Sequence, residues 1–187
     1  MDYSFKIWGN EEGLIEGILK EKRWAQKQLY EEYFEVLMPI CLRYAGTKEE
    51  AEDVLHESFI KIFKNIGKYK PGTSLKGWMS RIVVNTSIDH YRKRVKKKTV
   101  ELDNVYHLKA KEVNAVQALS VEEILNAMHQ LSYIYRTIFN MFVVEGYPHK
   151  EIAEKLNISE STSRSNLVKA RKKLKELLLS KDKFYDQ

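Results

Sequence analysis

Apolar residues return every three or four positions through most of this chain, and alternation at every second position is hard to find. That spacing predicts helices over Glu12–Lys20, Ala25–Arg43, Lys48–Ile66 and Leu75–Lys96. A second set is predicted over Val121–Gln130, Tyr133–Glu145, Pro148–Leu156 and Glu160–Leu179. Between the sets, the stretch from Thr99 to Ala118 has weak periodicity and no long apolar face, so it reads as a linker. The expected architecture is all-α, with two small helical domains at 1–98 and 119–187 joined through 99–118.

The helix ends are marked by residues suited to them. Thr47 is placed to cap the third helix, with Glu50 three residues on as in a capping box and Glu49, Glu52 and Asp53 in the first turn. Gly67, Pro71 and Gly72 break the pattern, and Ser74 can cap the fourth helix. The inner face of that helix is expected to hold Leu75, Trp78, Met79, Ile82 and Thr86. Ile82, Val83 and Val84 are β-branched neighbours that would suit a strand, but the helical period on either side outweighs them.

The segment PHKEIAEKLNISESTSRSNLVKARKKL places a short helix, a tight turn and a longer basic helix in succession, the plan of a DNA-binding helix-turn-helix. Ala153 is small where the helices would cross, while Ile152, Leu156 and Ile158 point inward. Asn157 stands where a left-handed backbone is needed, and Ser159 caps the longer helix. Ser163, Leu167, Ala170 and Leu174 form the inner stripe of that helix. Ser161, Thr162, Arg164, Ser165, Val168, Lys169 and Lys172 are left to face DNA, short polar groups and arginine toward base edges and lysines toward phosphates.

Charge sharpens this picture because its sign changes along the chain. Residues 1–60 carry 7 Lys/Arg against 13 Asp/Glu, whereas residues 61–98 carry 12 against 1. Residues 99–130 are mildly acidic, and 131–187 are basic again at 11 against 7. Two basic blocks fit two contacts with a polyanion, and the acidic opening fits a basic partner. In the first basic block Arg81, Asn85, Arg92 and Lys96 share one band of the fourth helix, beside the loop that carries Tyr69 and Lys70. Basic groups mixed with aromatics suit a single strand better than a duplex, and Tyr69 is the better stacking candidate because Phe63 and Trp78 read as core. On the third helix Asp53, Glu57, Ile60 and Lys64 lie opposite the Ala51, Leu55, Ile62, Ile66 stripe, so Ile60 is expected to stand exposed among charges as a small docking patch.

Other chemistry finds little footing. No run of about 18 apolar residues is present and the first residues lack a signal-peptide plan, so a cytoplasmic protein without membrane insertion is expected. The single cysteine, Cys41, lies in an apolar helical stretch and reads as buried and inert. Phosphate-loop, dinucleotide, HExxH and CxxC patterns are absent, and the five histidines lack metal-ligand spacing, so neither a metal nor another cofactor is expected.

Together these features resemble the sigma-70 family of RNA polymerase subunits, within it the extracytoplasmic-function group that keeps only the second and fourth conserved regions. AEDVLHESFIKIF is similar to the helix that binds the polymerase clamp, WMSRIVVNTSIDHYRKR to the helix at the melted −10 element, with Asn85 at that family's asparagine. LSYIYRTIFNMFVVEGYPHKEIAEKLNISESTSRSNLVKARKKL resembles region 4, which reads the −35 element. The family's usual motif has glutamine at His56, glycine at Asn157 and Ser161, and often an apolar residue at Ser163. The resemblance implies a non-enzymatic subunit whose partners are core RNA polymerase, promoter DNA and, as is common in this group, an anti-sigma factor. It implies polymerase binding through Asp53, His56, Glu57 and Ile60.

A dimeric helix-turn-helix regulator with an N-terminal sensor or dimerisation bundle is the competing reading. A sensor bundle has no need of 12 basic residues against 1 acidic one beside a loop and aromatics, which counts against it. A DNA recombinase would require a nucleophile and an arginine constellation near the N-terminus, and neither is found.

Overall fold

The computed structural model describes residues 11–98 and 121–182, with side chains described for 11–95 and 123–179. Eight α-helices account for most of these residues: α1 (Glu11–Leu19), α2 (Arg23–Tyr44), α3 (Lys48–Asn65), α4 (Leu75–Lys98), α5 (Val121–His129), α6 (Tyr133–Phe139), α7 (His149–Leu156) and α8 (Glu160–Asp182). No strand occurs among the described residues. The stretch expected to link two domains, 99–118, lies outside them.

Helices α1 to α4 close around Leu29, Leu37, Cys41, Leu55, Phe59, Ile62, Met79 and Val83, all buried. Burial pushes the Cys41 thiol up to about 12, as befits an inert side chain. Gly17 lets α1 lie directly on α2, since a Cβ there would stand 2.7 Å from that of Ala25.

The caps follow the sequence. Thr47 Oγ1 accepts from the Glu50 amide at 3.2 Å, and the Glu50 carboxylate in turn accepts from the Gly46 amide at 2.7 Å. The Gly77 amide donates to Ser74 Oγ at 3.0 Å, and the Thr162 amide to Ser159 Oγ at 3.0 Å. Asn157 adopts φ 55°, ψ 50°, the left-handed conformation its position requires, and Gly146 at φ +74° ends the helical run.

The run predicted as one helix over Tyr133–Glu145 is α6 followed by a π-type turn over Asn140–Val144, which leaves Val143 and Val144 on the surface. Of the inner face expected on α4, Leu75, Met79 and Thr86 are buried while Trp78 and Ile82 are half-buried at its edge, and Val83, not expected there, is buried in the same core. A second buried face was not foreseen: Val84, Ile88 and Tyr91 pack with Tyr44 against Ile138, Met141, Ile152, Leu156 and Leu167 of the following helices. The consecutive β-branched residues are thus explained, since a helix covered on two sides needs a wide apolar arc, with Val83 facing one core and Val84 the other.

Candidate nucleic-acid interface

The helix-turn-helix is made by α7 and α8. Ile152, Ala153, Leu156, Ser163, Leu167, Ala170 and Leu174 are all buried. Ser163 can sit in this apolar seam because its hydroxyl lies 2.9 Å from His149 Nδ1, so its polar atom keeps a partner. The His149 ring in turn stacks on Phe142 with centroids 4.4 Å apart. Partial burial, with Arg164 and Arg171 near and Glu160 opposing them, pushes the His149 imidazole down and favours its neutral form.

Ser161, Thr162, Arg164, Ser165, Val168, Lys169 and Lys172 are every one exposed, Val168 to 66%. The Arg164 guanidinium pairs with Glu160 one turn back. Thr162 and Ser161 hydroxyls share the Ser159 capping oxygen, at 2.7 and 2.8 Å, so the short polar side chains are ordered around the N-terminus of α8. A continuous face of small polar, apolar and cationic groups on an unobstructed helix can enter a major groove.

On α4, Arg81, Asn85 and Arg92 are exposed along one band, as their spacing predicts. Arg92 lies 3.9 Å from Asp89, and Asn85 Oδ1 accepts from Lys155 Nζ at 3.3 Å. Lys70 is exposed in the loop; Lys96 is in the last turn of α4, beyond the described side chains. The expectation that Tyr69 offers a stacking face is corrected here: the residue is only 5% exposed. Its ring leans on Trp78 at 5.8 Å, and its hydroxyl lies between the Glu11 carboxylate and the Thr73 carbonyl. The turn at Pro71 and Gly72 folds the loop back, so this aromatic completes the α1–α4 core instead of meeting a base.

The outer face of α3 presents Asp53, His56 and Ile60, the last 53% exposed. Sequence reasoning missed Tyr30 of α2, whose hydroxyl lies 3.1 Å from His56 Nε2 and whose ring stacks beside the imidazole. Glu57 is less free than expected. It pairs with Lys61 at 3.0 Å and Lys93 at 3.5 Å. Burial opposes its ionisation, but the Lys61 hydrogen bond and the two ammonium charges hold its carboxyl below the usual range. No local signal could have revealed Lys93, which lies on another helix 36 residues away.

Comparison with known proteins gives these surfaces their context. Residues 29–97 match the family described as Sigma-70 region 2, and residues 121–174 match Sigma-70, region 4. The chain is 30% identical over 155 residues to the ECF RNA polymerase sigma factor SigM of Bacillus subtilis, covering 80% of this chain and 93% of that protein. It is 28% identical to SigW of the same organism, over 88% of this chain and 94% of the relative. It is 26% identical to SigM of Mycobacterium tuberculosis strain H37Rv, over 83% and 78%. Its fold is similar to that of the sigma factor RpoE from Bartonella quintana, solved with the anti-sigma factor NepR, at a TM-score of 0.50 and 21% identity over 81% of this chain and 95% of that one. With residues 29–97 matching Sigma-70 region 2, residues 121–174 matching region 4, and a 30% identical ECF relative covered almost throughout, this protein belongs to the sigma-70 family, in its extracytoplasmic-function group, as a promoter-recognising sigma factor of RNA polymerase.

Proposed function

We propose that this chain docks on core polymerase through Asp53, His56 and Ile60 with Glu57 beside them. In the proposed complex the −10 non-template strand is held along Arg81, Asn85 and Arg92 with Lys70 and Lys96 flanking, and the −35 duplex is read with Ser161, Thr162, Arg164, Ser165, Val168, Lys169 and Lys172. The observation that carries the reading is that two exposed bands of DNA-competent side chains lie on α4 and α8, while a separate acidic and apolar patch occupies α3. Catalysis belongs to the polymerase, and the chain works in the cytoplasm, needing neither metal nor cofactor. The anti-sigma complex of the Bartonella relative supports the same class of regulator here.

The docking surface is tested with Asp53→Lys combined with Ile60→Ala, which leaves the Glu57 pairs to Lys61 and Lys93 intact. Core binding should weaken at least tenfold in co-sedimentation or fluorescence titration, with the helical circular dichroism unchanged. Unaltered binding removes α3 from the interface.

The −10 assignment is tested by permanganate footprinting of a promoter chosen by run-off transcription with core enzyme. Asn85→Ala with Arg81→Ala should lose reactivity of the unpaired thymines while the −35 contact persists. Melting at the wild-type level refutes the placement.

A further inference from the structure

Helix α8 carries one polar side chain in an otherwise apolar inner stripe. Ser163 is completely buried, in line with Leu167, Ala170 and Leu174. A buried hydroxyl needs a partner, because an unpaired one forfeits its bonds to water. Elsewhere in the chain that need is met within the helix itself. Ser58, Thr86 and Ser87 donate to the carbonyls of Val54, Ile82 and Val83, one turn back, at 2.6, 2.8 and 2.9 Å. Ser163 is served from outside its helix, its hydroxyl lying 2.9 Å from Nδ1 of His149 at the start of α7. A neutral imidazole accepts the hydroxyl proton at Nδ1 and carries its own on Nε2.

His149 is fixed in turn by Phe142, on which its ring stacks with centroids 4.4 Å apart and planes 22° from parallel. Phe142 belongs to the π-type turn before α7, and the Arg171 guanidinium stands over its ring at 5.8 Å. Ser163 and Arg171 are eight positions apart on α8, about 12 Å along its axis. His149 and Phe142 therefore bear on α8 at two points, and the exposed Arg164, Ser165, Val168 and Lys169 lie between them in sequence. The apolar stripe fixes how closely α8 packs, but apolar contact is non-directional and tolerates a small turn of the helix about its axis. A hydrogen bond is directional and resists that turn.

Small turns matter on this surface. A rotation of about 10° moves a side-chain tip lying about 5–6 Å from the axis by about 1 Å, more than the roughly 0.5 Å range of good hydrogen-bond distances. Base-edge contacts are lost by such a shift, whereas the charge attraction between a lysine and a phosphate falls only slightly.

We propose that His149 is a positioning residue for −35 recognition, which through Ser163 sets the rotation of α8 and so where Arg164, Ser165 and Val168 meet the base edges. This rests on the −35 assignment proposed above. His149 touches no base in this role; it acts through the helix that does.

The test uses the full chain assembled with core polymerase, titrated on a promoter that wild-type holoenzyme transcribes, on single-base −35 variants of it, and on non-promoter duplex. His149→Phe keeps a ring against Phe142 and removes Nδ1. Ser163→Ala removes the hydroxyl and leaves no buried polar group unpaired. Both should lose about tenfold of the preference for the promoter's own −35 sequence over its variants, about the worth of one good base contact. Binding to non-promoter duplex, its salt slope and the helical circular dichroism should stay at wild type. The two changes combined should lose no more than either alone, as partners in one bond do. His149→Asn sets an amide oxygen where Nδ1 stood and should keep the preference within about twofold of wild type. Unchanged preference in both His149→Phe and Ser163→Ala overturns the proposal. So does a parallel fall on promoter and non-promoter duplex, the mark of a unit that has only lost stability, or a His149→Asn protein as impaired as His149→Phe. A wild-type holoenzyme with no −35 preference overturns instead the assignment on which the proposal rests, an outcome read before any variant is made.

Discussion

Leu55→Ala is expected to destabilise the α1–α4 unit by about 2–5 kcal/mol, the range for emptying a fully buried leucine site. Leu55 is completely buried between α3 and its neighbours, in the core that also holds Leu29, Leu37, Ile62 and Met79. The loss has two sources: apolar surface that no longer leaves water, and a cavity that tightly packed helices fill only in part. Ile60→Ala, five residues along the same helix, removes one more carbon-rich side chain of equal size from a site 53% exposed, and should change stability by no more than about 0.5 kcal/mol. Urea denaturation followed by circular dichroism measures both. Equal losses at the two positions would mean that α3 is not oriented as described. The functional signatures should also divide, with Leu55→Ala weakening polymerase and −10 contacts together through loss of fold and Ile60→Ala affecting polymerase alone.

Arg164→Ala should cost about 1–3 kcal/mol on the preferred −35 sequence, roughly 5- to 150-fold in affinity, and relax the preference at one base pair. Arg164 stands one turn into α8, where side chains of a recognition helix reach base edges. Its pairing with Glu160 does not prevent this, because an exposed pair at this spacing is worth only about 0.3–0.5 kcal/mol. A base contact of the proposed strength would therefore outcompete Glu160 for the guanidinium. Lys172 lies two turns further along, and its replacement should weaken binding about equally on all sequences and reduce the salt slope by about 1, as loss of one phosphate contact does. Competition between holoenzymes on −35 variants at two salt concentrations separates the two behaviours. A uniform loss from Arg164→Ala would reassign that residue to backbone positioning.

What the sequence could reveal was local. Thr47, Ser74, Ser159 and Asn157 announce helix boundaries through bonds that span three or four residues, and each is found in its expected geometry. The outer faces of α3, α4 and α8 follow from period alone. What stayed hidden depends on partners far along the chain. Val84, Ile88 and Tyr91 look like strays from a single inner face until Tyr44 and Met141 are placed against them. Tyr69 looks like an exposed loop aromatic until Glu11, 58 positions earlier, accepts its hydroxyl. Lys155 gives no sign that it will meet Asn85, 70 residues away. The same limit applies to Glu57, whose carboxylate reads as free on α3 and is held by a lysine of α4.

Helix α4 has almost no idle side. Val83 and Met79 serve one core, Val84, Ile88 and Tyr91 another, Asp89 reaches Lys61 of α3 at 3.4 Å, and Arg81, Asn85 and Arg92 form the remaining band. Helix α8 differs, with its inner stripe fixed and its outer positions unencumbered by neighbouring helices. In evolutionary terms the two helices proposed above to read the promoter are unequally free to drift. A substitution on α4 disturbs packing as well as recognition, so divergence among descendants of this chain should accumulate first on α8, and new promoter sets should arise through altered −35 preference while the −10 preference is inherited.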